Sequence, residues 1–324
     1  MRRREFIFVG AAAVVWPSLA YAQAVPVIGF LNGQSAHTYA HLASAFRRGL
    51  REMGFVNGQN ASIEYRWAEG HDDRLPTLAA ELVDRGVTVL VASGGVAASI
   101  AAHKATKTVP IAFITGSDPV RYGLVASHNH PGGNATGVSF LVNQLNAKRL
   151  ELATQLVPNS RVIGFMVRTS NITSATDTRE VEAGATALGV KLLTFKVEDA
   201  EDFGKAFEAA ARERVGILVV HTDPFFLSNR KALVALAEKH AVPAMYELRE
   251  FVTEGGLVSY GTSNVEAYRQ LGIYAGRIVK GEKPSDLPIV QSTRFELVIN
   301  LRTAKALGIV VPQNLLVAAD EVVE

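Results

Sequence analysis

Short apolar runs rich in β-branched residues alternate with longer stretches of helical spacing along almost the whole chain, and the alternation occurs twice. Residues 27–31, 62–67, 87–92 and 110–114 read as strands. Between them, 39–53, 73–85 and 96–103 read as helices, the first with Leu42, Ala45, Phe46, Leu50 and Met53 on one face and Gly54 behind it as a stop. After the Gly-rich stretch 131–134 the pattern restarts. Strands at 161–167, 191–197, 216–221 and 242–246 are separated by helices at 173–188, 202–212 and 225–240, and 257–260, 265–280 and 295–300 close the chain as strand, helix and strand. Strands spaced by helices of this length are joined as βαβ units, and such units make parallel sheets. The expected architecture is therefore α/β, with two doubly wound parallel-sheet lobes divided near residues 138–145. Ser117-Asp118-Pro119 and Thr222-Asp223-Pro224 add a short internal echo at corresponding strand ends.

Composition narrows the function classes. The chain has 324 residues, 48% of them hydrophobic, which is enough for two cores and too apolar for a disordered chain. It contains no cysteine, which removes disulfides, thiol catalysis, cysteine-bound zinc and iron–sulfur clusters. The net charge is +2, which Arg2, Arg3, Arg4 and Glu5 account for, so the remainder is balanced. A balanced chain without a basic block has no electrostatic footprint for nucleic acid or an anionic membrane.

The first 22 residues read as an address. A basic start precedes an apolar stretch from Phe6 to Trp16, then Pro17 and Ala20-Tyr21-Ala22. That order is a secretory signal peptide ending in an A-x-A cleavage site, with the mature chain expected to begin at Gln23. The stretch is short against the ~20 residues of a bilayer span. Arg3-Arg4-Glu5-Phe6-Ile7 resembles the twin-arginine export motif, and an ordinary basic leader reads equally well, so the pathway stays open. Without a cysteine to carry lipid, the product is expected to be a soluble periplasmic protein, not inserted in the membrane.

Ligands of open parallel sheets sit beyond the carboxyl ends of the strands. There the chain shows no G-x-S-x-G, Walker A or H-E-x-x-H motif, and no catalytic residue is assigned. The glycines of 132–137 lead into a strand, the wrong order for a dinucleotide site. His37 with His41, and His128 with His130, lack a third ligand placed by sequence, so no metal and no cofactor is expected. Ser93-Gly94-Gly95 opens a helix after a strand, where backbone N–H groups can meet an anion or the glycines merely relieve a tight turn. Thr115, Ser117 and Asp118 end another strand and suit a polar solute, though Asp118 also fits an Asx turn before Pro119. Asp223 has the same two readings, and Asn171 and Glu247 stand at strand ends of the second array. Phe225 or Tyr246 is expected to pack on the ligand body.

Several segments carry a family resemblance. They are Asn32-Gly33-Gln34-Ser35, residues 115–120, Gly255-Gly256-Leu257-Val258-Ser259-Tyr260-Gly261, the ending 295–308 and Ala319-Asp320-Glu321-Val322. Together they resemble the ABC transporter substrate-binding proteins of the tryptophan/tyrosine-binding type, over essentially all of the chain beyond the leader. The resemblance implies a type I periplasmic-binding fold with ligand between two lobes, 24–140 plus 257–288 and 141–256 plus 289–324. Crossings would fall near residues 138–141, 255–256 and 288–291, and Gln34 and Ser35 would join the site. Amino-acid-binding members read N-x-x-E-x-N-S after the first strand of the second lobe. Here residues 168–174 read Arg-Thr-Ser-Asn-Ile-Thr-Ser, and the family's Thr-Pro loop is Gly94-Gly95.

The expected function is the periplasmic solute-binding component of an ABC importer. Its ligand would be small and organic, aromatic or carboxylate-bearing, and its partners a permease with its ATPase. No oligomer signal stands out, and a monomer is expected. The alternatives are an enzyme using Asp118, Glu247 or a histidine in the same cleft, and a ligand-sensing subunit for a membrane receptor.

Overall fold

The computed structural model describes residues 25–140, 145–291 and 294–324. The leader and its cleavage site lie outside the described residues. The first array forms β1 (Val27–Asn32), α1 (Ala40–Glu52), β2 (Ser62–Trp67), α2 (Leu75–Asp84), β3 (Val89–Ser93), α3 (Val96–Ala105), β4 (Ile111–Thr115) and β5 (Ala135–Ser139). The second forms α4 (Asn146–Leu156), β6 (Val162–Arg168), α5 (Ser174–Leu188), β7 (Lys191–Val197), α6 (Asp202–Arg212), β8 (Ile217–Val220), α7 (Pro224–Ser228), α8 (Arg230–Lys239), β9 (Ala244–Tyr246), α9 (Arg249–Thr253) and β10 (Val258–Thr262). Then come α10 (Asn264–Val279), β11 (Val290–Gln291), β12 (Phe295–Asn300), α11 (Leu301–Ala306), α12 (Gln313–Ala318) and β13 (Glu321–Val323).

Two sheets result. The first has the order β11-β5-β4-β3-β1-β2 and is parallel throughout. The second has the order β13-β12-β10-β9-β8-β6-β7 and is parallel except where β10 meets β12. The expected α/β class with two parallel-dominated sheets is what the chain forms. In each sheet the first strand lies inside the order, β1 between β2 and β3, β6 between β7 and β8. Strand order reverses at those points, so the loops after β1, β3, β6 and β8 spread around a crevice. Central strands such as β3 (VLVAS) and β4 (IAFIT) are buried at every position, which explains why they read as continuous apolar runs.

Of the expected passages between the sheets, the one near residues 138–141 runs into residues 141–144, outside the described residues, and the other two fall later along the chain than 255–256 and 288–291. β10 pairs with β9 and β12, so residues 257–262 belong with the second sheet, not the first, and the passage follows Thr262. Gly255, at φ +106, only turns α9 into β10. β11 pairs with β5, so residues 290–291 remain with the first sheet. Between these two strands α10 lies on the first sheet against β3, β4 and β5. Its backbone touches that of α1. A Cβ on Gly49 would lie 1.9 Å from the Arg269 carbonyl oxygen, and one on Gly272 2.1 Å from that of Phe46. The expected helix 225–240 is broken at Asn229 into α7 and α8.

Apolar packing is continuous across the two halves. One cluster runs from Phe30, Leu42 and Tyr268 to Phe226, Tyr246 and Leu248. Among the described residues no helix is long and apolar enough to cross a membrane.

Candidate ligand-binding cleft

A cavity of about 290 Å³ opens between the carboxyl ends of the two sheets, near the lower end of the ~300–1,000 Å³ range of small-molecule sites. The β3–α3 loop supplies one wall. Gly94 and Gly95 adopt φ +75 and +123, and a Cβ on Gly94 would fall 2.4 Å from Asn32 Oδ1. Only glycine fits there. Asn32 Nδ2 donates to Ser93 Oγ at 2.9 Å, Ser93 Oγ donates to the Leu31 carbonyl at 3.2 Å, and Asn32 Oδ1 accepts from the Gln34 N–H at 2.7 Å. This lock brings the first turn of α3 to the cavity, where Gly95, Val96 and Ala97 line it. Among the described residues no side chain caps that helix, so its first N–H groups and its dipole favour an anion.

Thr115 and Ser117 line the adjoining wall, where Thr115 Oγ1 accepts from the Ser117 N–H at 3.1 Å and shapes the turn. Tyr39 and Tyr268, with ring centroids 6.3 Å apart, and Phe140 give the cavity its aromatic surface. Asp72 enters from the loop after β2. Partial desolvation, the largest cause, holds its carboxyl above the usual range, against the pull of Arg168 and with Asp223 adding to the rise.

The second sheet supplies the opposite wall through Arg168, Ser170–Thr173 and Thr222–Pro224. Asp223 organises it. Its Oδ1 accepts from the Phe225 N–H at 2.7 Å, capping α7, and its Oδ2 accepts from Asn171 Nδ2 at 2.7 Å. Asn171 Oδ1 in turn accepts from the Thr173 N–H at 2.9 Å. Arg168 Nε donates to the Glu198 carbonyl at 3.3 Å.

Direct bonds join the two halves around the cavity. Ser228 Oγ donates to Gln34 Oε1 at 2.9 Å and lies 3.3 Å from Thr38 Oγ1. Arg121 Nη2 donates to Thr176 Oγ1 at 2.9 Å, with Glu180 3.8 Å from the same guanidinium.

Of the residues expected in the site, Gln34, Gly94, Gly95, Thr115, Ser117, Asn171 and Asp223 come together on the cavity. The other six do other work. Ser35 Oγ accepts from the Thr38 N–H at 3.2 Å and shapes the turn before α1. Ser93 is fully buried in the lock described above. Asp118 Oδ1 closes an Asx turn on the Val120 N–H and lies 3.1 Å from His128 Nε2. Phe225 carries the Arg168 guanidinium on its ring. Tyr246 is stacked on Phe251 at 4.4 Å, behind the wall. Glu247 is 1% exposed, and burial pushes its carboxyl up to about 8 against the electrostatic pull of Arg149. Burial lowers Arg149 to about 10 while Glu247 works to raise it.

Sequence reasoning missed Tyr39, Asp72, Phe140, Asn264 and Tyr268, and gave Arg168 no role. The strand-end rule, which placed Arg168 at a strand end without giving it a role, could have found Asp72 as well. Asn264 and Tyr268 arrive on α10, which no local signal ties to β3.

Residues 24–323 match the model of a family described as ABC transporter substrate binding protein. A tyrosine-binding protein of Clostridioides difficile (strain R20291) is 26% identical over 266 residues, 81% of this chain and 75% of that protein. The structure of an ABC domain in complex with L-Trp from Streptococcus pneumonia superposes with a TM-score of 0.81 at 26% identity, over 92% of this chain and 99% of the other. A conserved domain protein from Vibrio cholerae O1 has the same fold, with a TM-score of 0.83 at 24% identity and the same coverage.

Proposed function

The chain belongs to the family of ABC transporter substrate-binding proteins, and we propose accordingly that it is the periplasmic solute-binding component of an importer. It holds a small carboxylate-bearing ligand of amino-acid type between two lobes and passes it to a membrane permease and its ATPase. The observation that carries this reading is the uncapped first turn of α3 opening onto a cavity whose opposite wall presents Arg168. These two features, one from each half, favour an anion, and a carboxylate between them draws the halves together. Asp72 and the Asn171–Asp223 pair face the same space and suit an ammonium group. Tyr39, Phe140 and Tyr268 suit an apolar or aromatic body. The names of two relatives, one tyrosine-binding and one solved with L-Trp, support an aromatic amino acid as the first ligand to try.

The lobes of this reading are the first sheet with α10 and β11, and the second sheet with β10, β12 and the C-terminal helices. The ligand favours the closed form because both lobes contact it, and release follows opening about the three passages between the sheets. The protein acts as a monomer and leaves its ligand chemically unchanged.

Thermal shift against L-tyrosine, L-tryptophan and small carboxylates tests this. A ligand that binds only the folded state raises stability by ~2.7 kcal/mol at a hundredfold excess over Kd. A stabilising amino acid recovered intact supports the proposal, and one that is consumed overturns it in favour of an enzyme.

A further inference from the structure

Behind the cleft wall of the second half, His221 and Asp177 form a buried pair that the reading above does not use. His221 Nε2 lies 2.7 Å from Asp177 Oδ2, with the imidazole fully buried and Asp177 3% exposed. A carboxylate only accepts, so Nε2 carries the proton and donates it to that bond. Nδ1 has no hydrogen-bond partner among the described residues, and Phe165 meets the ring edge-on at 5.7 Å. The ring nitrogens therefore contribute one strong bond, and it ties the end of β8 to the first turn of α5.

The segment so tied has two other duties. Its Asn171 is fastened to Asp223, two residues beyond His221, and its Thr173 Oγ1 lies 3.5 Å from His221 Nε2; both residues line the cavity. Its Thr176 accepts the bond that Arg121 sends from the other half. The loop entering α5 thus faces the ligand space, the first turn of α5 holds the closing contact, and the histidine–aspartate bond fixes them from below.

We propose that His221 is a positioning residue for ligand binding. Through Asp177 it holds the first turn of α5 so that Asn171 and Thr173 face the ligand and Thr176 meets Arg121, without itself touching either. The effect on affinity rests on the cleft being the ligand site, whereas the effect on local order does not.

The test compares the purified protein with three variants. His221→Gln keeps an N–H donor near the position of Nε2, His221→Leu removes it at similar bulk, and Asp177→Ala removes the acceptor from the helix side. The readouts are amide hydrogen exchange over residues 171–177 and Kd for L-tyrosine and L-tryptophan by calorimetry. Expected for the Leu and Ala variants is exchange in 171–177 faster by about tenfold or more, with β6 and β8 unchanged, and binding weaker by about tenfold, the scale of losing one charge-assisted hydrogen bond. His221→Gln stays within about threefold of the parent in both readouts. A merely structural role would instead speed exchange through β6 and β8 alike, with no rescue by Gln, and that pattern overturns the proposal. So does unchanged exchange in 171–177. If the parent binds neither amino acid, the ligand class proposed above fails, while the exchange readout still decides the positioning role. If His221→Leu does not fold, Asp177→Ala carries the same comparison.

Discussion

The Arg168 guanidinium lies over the ring of Phe225, its Cζ 4.6 Å from the centroid. An aromatic that reads as a ligand contact is thereby the platform for a charge. The ring is itself held among Phe203 and Phe226, with centroids 5.4 and 5.7 Å away. A platform of this kind keeps a long side chain from surrendering its rotamer entropy when ligand arrives. Phe225→Leu is expected to weaken binding of a carboxylate ligand by about 1 kcal/mol without removing any group that lines the cavity. Arg168→Met is expected to cost more, about 1.5–3 kcal/mol, as befits a lost charged hydrogen bond. Calorimetric titration of both variants with the same amino acid gives the order directly.

Glu247 makes stability depend on pH. Its carboxyl titrates near 8 in the folded protein and near the ordinary ~4.3 of an unfolded chain. The folded state therefore binds the extra proton between those values, and the contribution is complete below the unfolded value and lost as pH rises through the folded one. The expected loss approaches ~1.4 kcal/mol per pH unit inside that window. Melting temperatures of the parent should fall from pH 5 to 8.5 more steeply than those of Glu247→Gln. Parallel slopes would show that burial does not hold the proton there.

Gly94 is fixed by backbone and by space at once. Gly94→Ala asks an L-residue to hold φ +75 and drives a methyl toward Asn32 Oδ1. The expected penalty is about 2–4 kcal/mol by urea denaturation, from strain plus overpacking. Ligand affinity should fall with it, because the displaced loop carries the first turn of α3.

Ser228 reports on closure alone. Its hydroxyl bonds Gln34 from across the cleft and does not line the cavity. Ser228→Ala is expected to lower affinity by about 0.5–1.5 kcal/mol. It should also shift the small-angle scattering profile of the free protein toward a larger radius of gyration, while the melting temperature moves little.

Legibility in the sequence followed the range of the physical signal. Alternation of apolar runs with helical spacing is local, so two mainly parallel sheets were readable from it, though not the antiparallel pairing of β10 with β12. The rule that ligands gather at strand ends is nearly local, and it found Gly94, Thr115, Asn171 and Asp223 on the cavity. The rule names a loop without saying which way a side chain turns. Tyr246 ends β9 and Glu247 follows it, yet both are buried in packed wall, Tyr246 stacked on Phe251. Strand partners are less local still. Residues 257–262 show nothing in their own sequence that assigns them to β9 and β12. Tyr268 reaches the cavity only because small residues at 49 and 272 let two helix backbones touch.

That contact between α1 and α10 has a consequence for the order of manufacture. A chain delivered from its amino end has β1 to β5 in hand long before residues 264–291 emerge, yet α10 covers that sheet and β11 closes its edge. Until then β5 offers an unpaired edge and α1 a bare glycine face, both open to wrong partners. A product truncated anywhere before residue 264 lacks both covers, and is expected to aggregate or be degraded, not to persist as a half-molecule.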